Sequence, residues 1–116
     1  MIYFISDDQG RVKIGYTSGM PEDRLKQLQT GNSDKLSLLT SMRGSRIEEL
    51  KIHTALNPYR LIGEWFRNEG AVNEFVSLVQ SYQSNEGQLW VVVVNCHSED
   101  FLDALALLCE MIKRGA

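Results

Sequence analysis

The first sixteen residues constrain this chain more than any other stretch. Ile2 to Ser6 and Arg11 to Tyr16 are two short strand-like runs, and the intervening Asp7-Asp8-Gln9-Gly10 is made of turn formers. Gly10 can take the positive φ that closes a type I turn through a glycine bulge, and that turn fixes the pairing of the two runs. In that register Tyr3, Ile5, Lys13 and Gly15 share one face of the ribbon. Ile2, Phe4, Val12 and Ile14 share the other, which is wholly apolar and is the expected core side. The first face carries a phenol, an ammonium and a glycine that admits another group close to the backbone. Packing alone does not call for that mixture.

The remaining elements follow in order. Pro21-Glu22-Asp23 opens a helix, with proline in the first turn and acids at the positive terminus; it runs to about Thr30 and stops at Gly31-Asn32. Its apolar stripe is Leu25 and Leu28, supported by Met20 or Pro21, and Arg24 flanks that stripe. Leu36 to Met42 is expected as a third strand, with Leu36, Leu38 and Thr40 on one face and Leu39 offset. Ser45-Arg-Ile-Glu48 is a capping box that starts a second helix, which ends before Asn57-Pro58. Arg60 to Phe66 is expected as a loop or short extended piece. Asn68 caps a third helix to about Tyr82, with Val72, Phe75, Val76 and Val79 inward. Beyond the connector Ser84-Asn-Glu-Gly87, Gln88 to Val94 is a strand apolar on both faces, and Ser98 opens a last amphipathic helix. The expected fold is α+β, a three-stranded antiparallel sheet flanked by helices, with an appended C-terminal strand and helix. Residues 1–84 form the principal unit, and 85–116 an extension packed on it or forming a homodimer contact.

A length of 116 residues allows one domain with a real core. The longest apolar run, Leu89 to Val94, is too short to cross a bilayer, and no charged-then-apolar leader is visible, so a cytoplasmic protein is expected. Cys96 and Cys109 lack metal-ligand spacing and are expected as free thiols. The net charge of −3 argues against tight non-specific binding of nucleic acid, which depends on neutralising phosphates. Residues 1 to 70 hold ten basic and nine acidic side chains, so the acidic excess lies in the tail. Weak or transient contact with DNA fits that distribution.

Four ordered blocks carry a resemblance. They are Ile2-Tyr3-Phe4 with Val12-Lys-Ile-Gly-Tyr16, Arg24-Leu-Lys-Gln-Leu-Gln-Thr-Gly-Asn32, Glu49-Leu-Lys-Ile-His53, and Gly63-Glu-Trp-Phe66. Together they resemble the GIY-YIG nuclease superfamily, in its T5orf172 or meiotically up-regulated-gene-113 type branch. The resemblance spans roughly the first two thirds of the chain and implies a GIY-YIG-like domain acting as a DNA endonuclease.

Phosphodiester hydrolysis needs a base for water, a cation on the phosphate, and a metal or acid at the leaving oxygen. The resemblance supplies a residue for each. Tyr3 matches the tyrosine that serves as general base; because a free phenol titrates near about 10, it needs a cation beside it, which Lys13 on the same face can provide. Lys13 stands where the family commonly has a second tyrosine, so the mechanism is modified there. Arg24 matches the arginine that binds phosphate oxygens. His53 is expected at the site to bind phosphate or move protons, with Glu49 one helical turn away orienting it and Tyr16 supporting the site from the second strand. Glu64 matches the glutamate that carries a single Mg2+ or Mn2+, an ion for which one carboxylate suffices when water and substrate supply the rest. Trp65 and Phe66 are expected as a core anchor for that loop. The alternative reading is a catalytically weak or inactive nucleic-acid-binding or assembly module on the same scaffold.

Overall fold

The computed structural model describes residues 1–81; the expected strand and helix beyond the 84–87 connector, both cysteines, and the 85–116 extension lie outside the described residues. The N-terminal hairpin forms as its pattern requires. Strands β1 (Ile2–Ser6) and β2 (Arg11–Tyr16) pair antiparallel with Tyr3 opposite Gly15 and Ile5 opposite Lys13. The turn is closed by the Asp7 N–H donating to Arg11 O at 3.1 Å, with Gly10 at φ 74°. The Asp7 carboxylate tightens it further, accepting from the backbone N–H of Gln9 and Arg11 and from Arg11 Nε at 2.6 Å. Asp7 is thereby held below the usual carboxylate range: burial opposes the shift, and these donors outweigh burial.

Helix α1 (Pro21–Gln29) follows, then strand β3 (Ser37–Met42), which pairs with β1 on its other side. The register between β1 and β3 shifts between Phe4 and Ile5. Thr40 therefore lies opposite Phe4, whereas Leu38 lies opposite Ile5. The expectation that Leu36, Leu38 and Thr40 share a face fails there, because an extra residue in one strand reverses its side-chain alternation. Helix α2 (Arg46–Ala55) begins at the predicted capping box, with the Ser45 side chain accepting from the Ile47 N–H and the Ser45 N–H donating to Glu48 Oε2 at 3.0 Å. A single 3-10 turn at Asn57–Tyr59 then leads into a hairpin of β4 (Arg60–Ile62) and β5 (Trp65–Arg67).

That second hairpin corrects the expected strand count. The sheet has five strands in the order β3-β1-β2-β5-β4, all antiparallel. Arg60 to Arg67 forms two three-residue strands around Gly63, whose φ of 56° makes the turn. β5 docks on β2 with Lys13 opposite Trp65. Helix α3 (Gly70–Ser81) starts two residues after Asn68, whose backbone N–H instead donates to Gly10 O at 3.0 Å and ties this segment to the first turn.

Helices cover both sides of the sheet. On one side Ile2, Phe4, Val12, Ile14 and Phe66 pack with Ile52 and Leu56 of the α2 region and Val72, Phe75, Val76 and Val79 of α3. Phe4 and Phe75 meet edge to face with ring centroids 5.7 Å apart. On the other side Tyr3, Ile5 and Leu36 are buried under Leu25 and Leu28 of α1, with Leu38 and Trp65 at the margin. No helix among the described residues is long and apolar enough to cross a membrane.

Candidate active site

The second side of the sheet holds the polar residues that the hairpin pattern set apart. Its focus is Gly15. A β-carbon added there would collide with the Tyr3 hydroxyl and with Glu64 Oε2, the latter at 2.6 Å. The missing side chain is thus what lets a phenol from β1 and a carboxylate from the β4–β5 turn occupy one spot. Glu64 is held in place by its backbone, since its carbonyl accepts from the Ile14 N–H at 2.9 Å and so continues the β2–β5 ladder by one bond.

Tyr3 is buried at 1% exposure, and the Arg24 guanidinium acts on its hydroxyl from α1. Burial raises its pKa above 10.0; the Arg24 hydrogen bond and charge pull it down, while Glu64 and Glu49 push it up, and the net direction is up. The cation that acts on Tyr3 is therefore Arg24. Lys13, expected in that role, faces Glu64 instead, with Nζ 3.5 Å from Oε2. The geometry follows from α1, which lays Leu25 and Leu28 over Tyr3 and so leaves Arg24 at the edge of its stripe, turned toward the phenol. Arg24 Nη1 also donates to Gln27 Oε1 at 3.1 Å, which steadies the guanidinium.

Trp65 lies on this side next to Lys13, with Lys13 Nζ 5.6 Å and the Arg11 guanidinium carbon 5.5 Å from its ring centre. Phe66, its neighbour, is fully buried in the opposite core. The expected anchor pair is thus split by the strand alternation of β5, and only Phe66 is wholly core. The sequence held the signal for this, since adjacent residues in a strand must face opposite ways.

His53 and Glu49 come from α2 to the end of β2. His53 is buried, its ring tilted at 57° to that of Phe66 with centroids 5.2 Å apart, and its Nε2 donates to Ile14 O at 2.7 Å. A carbonyl can only accept, so the Nε2 proton is committed to the backbone. The bond serves the sheet: past Glu64 the chain turns away at Gly63, and His53 takes the place of the next ladder donor. Glu49 Oε1 stands 3.9 Å from the same nitrogen, too far for a hydrogen bond. Burial and then Glu64 raise the Glu49 pKa, with His53, Arg46 and Lys13 acting the other way. Tyr16, expected as a support, receives the Arg46 guanidinium over its ring at 5.3 Å. Arg46, one turn before Glu49, was not singled out by the sequence, although that spacing on one helix was its signal.

The structure thus gathers Tyr3, Arg24, Lys13 and Glu64 around Gly15, with Glu49 beside them and His53 behind β2. Among the described residues no group of three or more His, Cys, Asp or Glu side chains could hold a metal ion. The cluster brings together a guanidinium, an ammonium, a phenol and a carboxylate, the set that phosphodiester chemistry uses. No curated protein and no solved structure matches the chain significantly. Residues 1–82 match the T5orf172 domain, and the chain belongs to that family of GIY-YIG-like, nuclease-associated domains.

Proposed function

We propose that this chain is a metal-dependent endonuclease that hydrolyses DNA phosphodiester bonds at the Gly15 cluster. The observation that carries the reading is the meeting of the Tyr3 hydroxyl and the Glu64 carboxylate over Gly15, with the Arg24 charge acting on the phenol. Glu64 fits a magnesium or manganese ion: it is a hard oxygen donor, its side chain is 36% exposed, and its ion pair with Lys13 is loose at 3.5 Å. A bound divalent ion would supply positive charge for the leaving oxygen.

The chain's own residues divide the remaining work. Arg24 favours the phenolate of Tyr3 and can bind non-bridging phosphate oxygens through its remaining N–H groups. Burial and the Glu64 charge oppose ionisation, so Tyr3 rests as a phenol, and compensation of the Glu64 charge leaves the lowering effect of Arg24 in place. Once ionised, Tyr3 takes a proton from water as the water oxygen bonds to phosphorus and the bond to the leaving oxygen breaks. Lys13, beside Glu64 and Trp65, adds a second positive contact for the strand.

The test is cleavage of supercoiled plasmid with Mg2+ or Mn2+. Wild type should nick it, and Arg24→Ala and Glu64→Gln should each lower the rate by about 10²–10³-fold, the usual effect of removing one preorganised charge contact. Equal cutting by all three proteins would show that the activity is not the chain's own. One observation favours a second reading, a catalytically weak DNA-binding or assembly module. Lys13 pairs with Glu64, Arg11 with Asp7, and Arg67 with Glu69, which limits the charge available to phosphate. DNA retention without cleavage in any divalent metal would select that reading.

A further inference from the structure

Trp65 is the aromatic side chain beside the Gly15 cluster that the chemistry above leaves without a task. It stands on β5 opposite Lys13, at the margin of the Tyr3 cluster, while Phe66 next to it is wholly buried on the other side. Its indole N–H has no hydrogen-bond partner among the described residues. Glu49 Oε2 is the one fully buried side-chain oxygen or nitrogen there in that condition, so the indole N–H reaches the surface. A tryptophan kept only as a core anchor would pair that group or hide it.

Two cations accompany the ring. The Arg11 guanidinium carbon lies 5.5 Å from its centre and Lys13 Nζ 5.6 Å. Arg11 and Lys13 alternate with buried Val12 on β2, so both project to the face that Trp65 occupies. Acids do not use up either charge. Arg11 binds Asp7 through Nε at 2.6 Å, but its Nη2 stands 3.5 Å from Asp34, and 39% of the side chain is exposed. Lys13 Nζ stands 3.5 Å from Glu64 Oε2, and both 3.5 Å contacts exceed the roughly 2.7–2.9 Å of a strong charge-assisted bond. Lys13 thus faces Glu64 as well as the indole, which joins this strip to the Gly15 cluster. Cations interleaved with an aromatic ring are what an unpaired nucleic-acid strand meets on proteins that hold it: the charges track the backbone and a base stacks on the ring.

We propose that Arg11, Lys13 and Trp65 form a nucleotide subsite beside the Gly15 cluster, where an unpaired base stacks on Trp65 and its flanking phosphates meet the two cations. The inference rests on the DNA-directed reading above and deepens it by naming the form of the substrate. That form is single-stranded DNA, or DNA with an unpaired nucleotide next to the scissile phosphate. A base inside a duplex is stacked between its neighbours and must leave the stack before it can use the ring. Every base has a π-face, so the subsite selects unpaired nucleotides without selecting sequence. Trp65 is then a substrate contact, where the sequence suggested only a core anchor.

Fluorescence anisotropy of a labelled oligothymidylate of about twelve nucleotides, with the full chain at low salt in EDTA, tests this without cleavage. Wild type should bind it more tightly than a blunt duplex of the same length. Trp65→Leu keeps an apolar side chain at the cluster margin but offers no ring, and should weaken binding about tenfold at every salt concentration. Trp65→Phe, which restores a ring, should recover most of that loss. Arg11→Gln should instead lower the slope of log affinity against log salt by about 0.7, the share of one phosphate contact on a single strand. Affinities are referred to the folded fraction of each variant, and the Phe rescue and the salt slope are readouts that a merely structural role would not move. Leu and Phe forms that bind alike, a wild type that prefers the duplex, or one that binds neither DNA overturns the inference. Plasmid cutting is scored separately. A wild type that binds single strands through Trp65 yet cuts nothing upholds the subsite and sinks the nuclease reading. A cutting wild type whose Trp65→Leu form binds single strands normally does the reverse.

Discussion

On one face of the β1–β2 ribbon, Ile2, Phe4, Val12 and Ile14 are all fully buried and join Phe66, Phe75 and the α2 residues in one apolar cluster. On the other face Tyr3 and Ile5 are as deeply buried, but Lys13, Gly15 and their neighbours Arg24 and Glu64 bring charge to the edge of that smaller cluster. Both faces come from alternate residues of one hairpin, so a single register decides both. The comparison teaches that burial alone does not mark the structural side: Tyr3 is buried and yet acted on by a cation and crowded by an acid. What separates the faces is the company a buried group keeps.

The largest expected effect breaks the apolar face. Phe4→Ala removes a fully buried ring that meets Phe75 edge to face, and should cost about 3–5 kcal/mol in urea unfolding. That is a large fraction of the about 5–15 kcal/mol that domains have, so cleavage should fall only as the folded fraction falls. A loss below about 1 kcal/mol would mean that the faces do not divide labour as described.

A smaller effect belongs to the turn that sets the register for both faces. Asp7 has its folded pKa lowered, so its contribution is present above its unfolded value of about 3.9 and is lost as pH falls through the folded value. Asp7→Asn keeps the acceptor for the Gln9 and Arg11 N–H groups but sets an amide NH2 against Arg11 Nε, so it should cost about 1–3 kcal/mol near neutral pH and converge with wild type in acid. Parallel pH curves would contradict the assignment. Glu49 carries the opposite sign. Its folded pKa is raised by burial and then by Glu64, so it costs stability as pH rises from about 4.3 through the folded value.

Much of this was legible because local rules left little choice. Gly10 and the alternation around it fixed which of Tyr3 and Phe4 faces the core, and the capping box at Ser45 placed α2 to the residue. The β3 shift was not legible, because one extra residue near Leu39 leaves an apolar run that fits either face. The β4–β5 hairpin was missed because three-residue strands give no periodicity, although Gly63 marked the turn. For the site, the motif spacing pointed to Tyr3, Arg24 and Glu64, whose side chains the fold brings near one another. It could not show that Lys13 pairs with Glu64, that the His53 proton goes to Ile14, or that a Glu49 oxygen is bare. Those depend on where two hairpins and a helix end meet, which only the tertiary structure settles.

The most direct test of the central claim, that a phenol and a carboxylate share the space over Gly15, is the cleavage rate of Gly15→Ala measured beside its unfolding curve. Alanine suits a strand at least as well as glycine, so the backbone gives no reason for harm. The added carbon would strike Tyr3 and Glu64, and the account predicts an overpacking cost of about 1–3 kcal/mol. It also predicts that cleavage falls by at least about 10²-fold in protein that remains folded. A folded Gly15→Ala that cuts DNA at the wild-type rate would contradict it.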